Sequence, residues 1–276
     1  MINIVHRTLG VAKDRILVSP VDTDYVPDAG PTVATRGTLF SGNAVNAAAL
    51  KLKDKLAFYA QKRLGEGPLR FEGGKIIGGR DTHAFVAFDD VVKDVFAACD
   101  HLNAFGFYTN PPLRYDRENG VGEAYMSYVY GAAAAEVTVD LRTGEVSVDR
   151  FWAAHDVGCA LDMDEVRGQI GGGVGLGMGL TVLEEVETAK GRIRNPNLDA
   201  YLIPTALDMP RVIPLVLEIP GKYGPHGAKG LGEPATSIVA PAIINAVYNA
   251  TGVRHYDLPA TLERVALHKA LNKGAG

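Results

Sequence analysis

Gly227-Ala228-Lys229-Gly230-Leu231-Gly232-Glu233-Pro234-Ala235 is a glycine run that carries one carboxylate and is stopped by proline. Gly230 and Gly232 tolerate positive φ and have no Cβ, so the backbone can pass close to a flat or bulky ligand. Pro234 fixes its own φ and lacks an N–H, which limits how far Glu233 can wander. Glu233 is therefore the candidate catalytic residue. Taken alone, the same residues also describe a surface turn with a solvated glutamate, because glycine and proline commonly mark turns. The next segment anchors the loop: Pro241 suits a first helical turn, and Ile243, Ala246, Val247 and Ala250 form an i, i+3, i+4, i+7 stripe that ends at Gly252.

Working outward, Val45, Ala48, Ala49, Leu52, Leu56 and Tyr59 recur at helical spacing between Gly42 and about Arg63, which predicts one long helix packed on a sheet. Residues 69–106 alternate short apolar runs with the pairs Gly73-Gly74 and Gly78-Gly79 and read as a hairpin and insertion. Between Ala135 and Phe151, strict alternation on both sides of Arg142-Thr143-Gly144 predicts a β-hairpin. Helices interleave with hairpins, so the class is α/β (α+β), mixed sheets with packed helices.

Nearly half of the 276 residues are apolar (47%), enough to bury a real core in one or two domains. The formal charge of -4, with no basic block, argues against nucleic acid. No apolar run approaches the length needed to cross a bilayer, and no signal peptide is evident. Cys99 and Cys159 are far apart and form no CxxC pair, so they read as reduced packing residues of a cytoplasmic protein and cannot assemble an iron–sulfur or zinc site. Asp22, Asp24 and Asp28 read as turn formers rather than metal ligands, and no metal-ligating set is expected from this chain's side chains.

Two further segments are candidates for holding a cofactor. In Thr32-Val33-Ala34-Thr35-Arg36-Gly37-Thr38, small residues and a glycine let successive backbone N–H groups converge on an anion such as phosphate, and Arg36 adds charge; the same segment also serves as the entry to the long helix. Gly168-Gln169-Ile170-Gly171-Gly172-Gly173-Val174-Gly175-Leu176-Gly177-Met178-Gly179 has no dinucleotide or P-loop register. It is either a helix whose glycine face packs on another backbone or a cofactor contact. His155 beside Asp156 invites a catalytic dyad, but neighbours on a strand point to opposite faces, so a structural role is preferred. His226 is either an exposed loop histidine or a lining residue of the Glu233 pocket, and no serine lies in a nucleophile elbow.

The order of a Gly-x-Gly-Glu-Pro loop (230–234), the Ala242-Ile243 to Arg254 helix and Leu258-Pro259-Ala260-Thr261 closely resembles the carboxyl-terminal end of the molybdopterin-binding subunit of the xanthine oxidase and aldehyde oxidase molybdenum hydroxylases. Other blocks agree in order: a helix at 2–10, a strand at 15–18, the loop 22–27, the segment 30–38, Gly106-Phe107-Tyr108, 130–137, His155-Asp156-Val157-Gly158, Gly168-Gln169 and Asn195-Pro196-Asn197. Leu176 stands where some members place a glutamine, which puts that cofactor contact in doubt.

The resemblance implies two related subdomains, 1–130 and 131–276, the second carrying the glutamate loop. It implies a molybdopterin dinucleotide with molybdenum, in its cytosine form, held by Thr32 to Thr38, Gln169, Lys229, Gly230, Leu231 and Gly232. It implies oxidation of an electron-poor carbon, in an N-heterocycle such as a purine or nicotinate or in an aldehyde, with water as oxygen source and Glu233 as general base. Only the carboxyl-terminal half of the family's subunit is matched. Either the subunit is split, with a second molybdopterin-binding chain carrying the amino-terminal half as in nicotinate dehydrogenase, which is the preferred reading, or the chain is a fragment of a longer subunit; 2Fe-2S and FAD subunits are expected to take the electrons. The chain alone is expected to be inactive. The alternative is a noncatalytic structural or cofactor-insertion subunit, which would not need a poised carboxylate.

Overall fold

The computed structural model describes residues 1–26 and 28–267; Pro27 of the 22–27 loop and the end of the 131–276 segment lie outside the described residues. The chain divides into two compact units, Met1–Ser127 with Pro220–Lys229, and Tyr128–Ile219 with the chain from Gly230 onward. The first unit thus takes back the segment 220–229, which a contiguous division at 130/131 leaves out.

In the first unit, α1 (Ile2–Leu9) ends at Gly10, whose φ of 64° is the left-handed cap that lets its amide reach His6 O. A one-turn 3₁₀ helix (Lys13–Arg15) follows. Residues 15–18, expected as a strand, join no ladder: Leu17 and Val18 are exposed, and no neighbouring segment offers them backbone partners. A π-turn (Gly37–Ser41) runs directly into α2 (Gly42–Leu64). Next come β1 (Leu69–Glu72), β2 (Lys75–Gly78), β3 (Phe85–Ala87) and α3 (Phe88–Ala97). The β1–β2 turn is Gly73-Gly74 with both φ positive (56° and 72°), the two-residue geometry that matches strand twist. Leu56, Tyr59 and Ala60 of α2 pack with Phe71, Ile76 and Val86 of this antiparallel sheet and with Val91 and Val95 of α3, so the long helix does lie on a sheet. Cys99 is exposed just after α3, not packed in the core. A small ladder of β4 (Tyr115–Asp116) and β5 (Val121–Gly122) closes this part.

The second unit is built on β6 (Gly131–Val139) and β7 (Val146–Asp156), an antiparallel hairpin with a bulge at Glu136/Val137. Its turn is set by Asp140, which accepts from Arg142 N, and by Gly144 at φ 80°. From β7 the chain passes into α4 (Met163–Val182) and, after β8 (Thr188–Ala189) and β9 (Arg192–Ile193), returns as β10 (Arg211–Leu217) parallel to β7. Parallel pairing requires such a crossover. The sheet order is β10-β7-β6, with Pro214 tolerated because β10 is an edge. The mixed pairing fits the α/β (α+β) class.

One face of this sheet carries Phe151, Ala153 and His155 from β7, with Ala135, Ala133 and Gly131 opposite on β6 and Val212, Pro214 and Val216 opposite on β10. Against it pack Ile170, Val174 and Met178 of α4, Ala235 of α5 (Pro234–Ser237), and Val239, Ile243 and Val247 of α6 (Val239–Thr251). The last helix, α7 (Leu262–Ala266), is capped by the Thr261 hydroxyl, which accepts from Arg264 N. No helix among the described residues is long and apolar enough to cross a membrane.

Candidate functional site

The second unit fixes the backbone around Glu233 from two sides. A Cβ built on Gly173 would lie 2.5 Å from Ala235 Cβ, and one on Gly177 would lie 2.5 Å from Val239 Cβ. This Gly173/Gly177 face of α4 is therefore a notch cut to accept α5 and the start of α6. From the sheet side, His155 Nε2 lies 3.1 Å from the Pro234 carbonyl oxygen. A carbonyl oxygen can only accept, so the imidazole donates. His155 and Asp156 do not form a dyad: His155 turns inward to Pro234, while Asp156 Oδ1 accepts from Gly158 N.

Glu233 itself is exposed and sits at the N-cap of α5 without capping it, and its carboxylate has no hydrogen-bond or ion-pair partner among the described residues. Its carbonyl accepts from Thr236 N at 3.0 Å. Leu231 is buried, Gly230 is buried and Gly232 is half-buried, so the loop is tied down up to the carboxylate. Gly230 and Gly232 do not use the positive φ that they tolerate; it falls earlier, at His226 (52°) and Gly227 (80°).

The twelve-residue glycine segment is helical, and part of its glycine face packs closely on a neighbouring element. Gly173 and Gly177 pack on backbone-bearing elements, whereas a Cβ on Gly168, Gly171 or Gly172 would meet nothing within 4 Å. Gln169 is exposed and precedes Gly173 by four residues, which places it one turn earlier on the ridge that faces α5. Leu176 is exposed and lies off that ridge.

Thr32 to Thr38 and Lys229 belong to the first unit. Thr32, Val33 and Ala34 are exposed, and Thr35, Arg36, Gly37 and Thr38 are half-buried. Ala34 has φ 50°, Arg36 N bonds Val33 O at 3.0 Å, and a Cβ on Gly37 would meet nothing. The amides of Gly37 and Thr38 open the helix, where no carbonyl of a preceding turn is available to them, and they can face an anion. Arg36 folds back, donating to Ala29 O and lying 5.0 Å over the Phe40 ring. Lys229 is half-buried beside Gly221. His226, though exposed at one edge, is tied by Nε2 to the Thr8 hydroxyl at 3.0 Å. Thr8 also bonds Asn46 Oδ1 and Ile4 O, so His226 pins the 220–229 loop to α1 and α2. Burial, and then the charges of Arg7 and Lys53, push its pKa below the usual histidine value against the pull of the Ile4 carbonyl.

A family model described as a molybdopterin cofactor-binding domain matches residues 1–210. The chain belongs to that family. It is 30% identical over 267 residues to a putative xanthine dehydrogenase molybdenum-binding subunit of Escherichia coli (strain K12), covering 95% of this chain and 34% of that protein. It is 32% identical over 272 residues to an aldehyde oxidoreductase of Megalodesulfovibrio gigas, covering 94% and 26%. Among solved structures, the aldehyde oxidoreductase from Desulfovibrio gigas superposes with a TM-score of 0.77 at 30% identity, over 98% of this chain and 27% of that one. Reconstituted CO dehydrogenase from Oligotropha carboxidovorans gives 0.83 at 23%, over 98% and 34%, which speaks to the fold alone. The chain spans about a third of the length of the curated relatives it matches first.

For a molybdopterin-binding domain, the residues fit the group. In the first unit the helix-opening amides at Gly37 and Thr38 suit phosphate; in the second, taken by itself, a Cβ on Gly168, Gly171 or Gly172 would meet nothing within 4 Å, and the Glu233 carboxylate has no partner among the described residues. Sequence reading gave His155 only a structural role and missed its bond to Pro234. The signal was its parity with Phe151 and Ala153, which puts a polar ring on the core face of β7.

Proposed function

We propose that this chain is the carboxyl-terminal part of the molybdenum subunit of a hydroxylase that oxidises an electron-poor carbon, in an N-heterocycle such as a purine or nicotinate or in an aldehyde, with Glu233 as the general base. The observation that carries the reading is the pairing of a fixed backbone with an open carboxylate: Pro234 and Ala235 are held by His155 and the Gly173 notch, and the Glu233 carboxylate has no partner among the described residues. The names of the relatives, a xanthine dehydrogenase subunit and an aldehyde oxidoreductase, support the substrate class.

The overall reaction replaces a C–H bond by a C–O bond with oxygen from water, releasing two electrons and two protons. When bound, the molybdenum cofactor supplies the redox centre that receives those electrons. Glu233 accepts the proton lost as the oxygen nucleophile bonds to carbon, a task that suits a carboxylate within hydrogen-bond reach. Thr32 to Thr38, Gln169, Lys229, Gly230, Leu231 and Gly232 are the residues that would hold the cofactor, a dinucleotide of the cytosine form. A second molybdopterin-binding chain completes the subunit, and 2Fe-2S and FAD subunits carry the electrons away in the cytoplasm.

Native mass spectrometry of the protein purified from its source, with molybdenum quantified on the same sample, tests the reading. The expected result is a complex with a second large chain, carrying molybdenum and a pterin dinucleotide mass. A chain that stays metal-free when supplied with its partner chains would overturn it.

A further inference from the structure

We infer that His155 is a positioning residue for the Glu233 carboxylate. The inference rests on the reading of Glu233 as the base and adds the device that aims it. His155 is 1% exposed on the central strand of its sheet, with Gly131 and Val216 opposite. Its neighbours on the same face, Phe151 and Ala153, are apolar and fully buried. Its Nε2–H donates to Pro234 O, and its Nδ1 is buried with no hydrogen-bond partner among the described residues.

A buried polar atom without a partner is unfavourable, and an apolar residue at this position would avoid it. The ring is thus a poor choice for packing alone, but it supplies a directional bond to the residue that follows Glu233. Among the described residues no side chain holds the Glu233 carboxylate, so its backbone sets only the Cα–Cβ direction from which the side chain departs. That backbone is set by the His155 bond at Pro234, the proline ring itself and the Ala235 contact with Gly173. Groups misplaced by about an ångström commonly lose on the order of a hundredfold in rate, so a single bond of this kind matters.

The test compares the full chain with His155→Leu and His155→Gln, the glutamine keeping an N–H donor near the position of Nε2. Nitrogen-15 NMR of the wild-type chain should show the Nε2–H tautomer. Amide exchange at Ala235 to Ser237 should quicken about tenfold or more in His155→Leu, while β6 and β7 keep their protection, and His155→Gln should restore it. In the assembled, cofactor-loaded enzyme, His155→Leu should lower kcat about tenfold with KM little changed, and His155→Gln should recover most of it. An Nδ1–H tautomer, unchanged exchange at 235–237, or a uniform rise across the unit would overturn the inference. The tautomer decides the matter even if His155→Leu fails to fold. Glu233→Gln assayed alongside separates the two claims: turnover surviving in that variant removes the reading of the base, whereas the exchange result judges His155 independently of activity.

Discussion

Gly173 of α4 and Ala235 of α5 approach so closely that a methyl on the glycine would sit 2.5 Å from the alanine methyl and 2.8 Å from its carbonyl carbon. The contact is backbone against backbone-bearing residue, so neither side can give way by turning a side chain. Gly173→Ala should therefore destabilise the second unit by about 1–3 kcal/mol, the usual cost of overpacking a tight core. Gly172→Ala, one residue away with open space around it, should be neutral or stabilising by up to about 1 kcal/mol through helix propensity. Urea denaturation of the two variants checks this, and equal effects would contradict the notch.

His226 gives the first unit a pH dependence. Burial beside Arg7 and Lys53 makes the folded chain bind the imidazole proton more weakly than the unfolded chain does. Above about pH 6.5, the unfolded value, its contribution to stability is fully present; as pH falls below that, the unfolded state takes up the proton first and stability declines. Melting curves between pH 5 and 8 should fall on the acid side for the wild type and flatten in His226→Gln.

Asp100 acts in the same direction over a lower range of pH. A hydrogen bond from Lys55 Nζ, then the His101 amide and the Tyr59 hydroxyl, holds its carboxyl at about 2. Its contribution is present above about pH 3.9, the unfolded value, and is lost as pH falls towards the folded one. A carboxyl-carbon NMR titration should place its midpoint near 2, and Lys55→Ala should move that midpoint upward.

Local chemistry was legible in the sequence. Gly73-Gly74 fixed one hairpin, Arg142-Thr143-Gly144 another, and the apolar spacing of α2 and α6 gave their buried stripes, because each signal lies within a few residues. The loop at Glu233 was legible as a motif. What was lost depended on distant partners. β10 acquires its strand character only from β7, and its Pro214 hides it further. The strand that the resemblance implied at 15–18 finds no ladder partner among the described residues. The bond between His155 and Pro234 joins segments far apart in sequence, and the segment 220–229 returns to the first unit through His226, Thr8 and the bond from Asn43 Nδ2 to Tyr223 O.

Turnover of Glu233→Gln in the assembled, cofactor-loaded enzyme tests the account most directly. Glutamine keeps the size of the side chain but cannot accept the proton, so molybdenum content and assembly should match the wild type while kcat falls by about two to four orders of magnitude. Turnover at the wild-type rate in a fully loaded Glu233→Gln enzyme would contradict it.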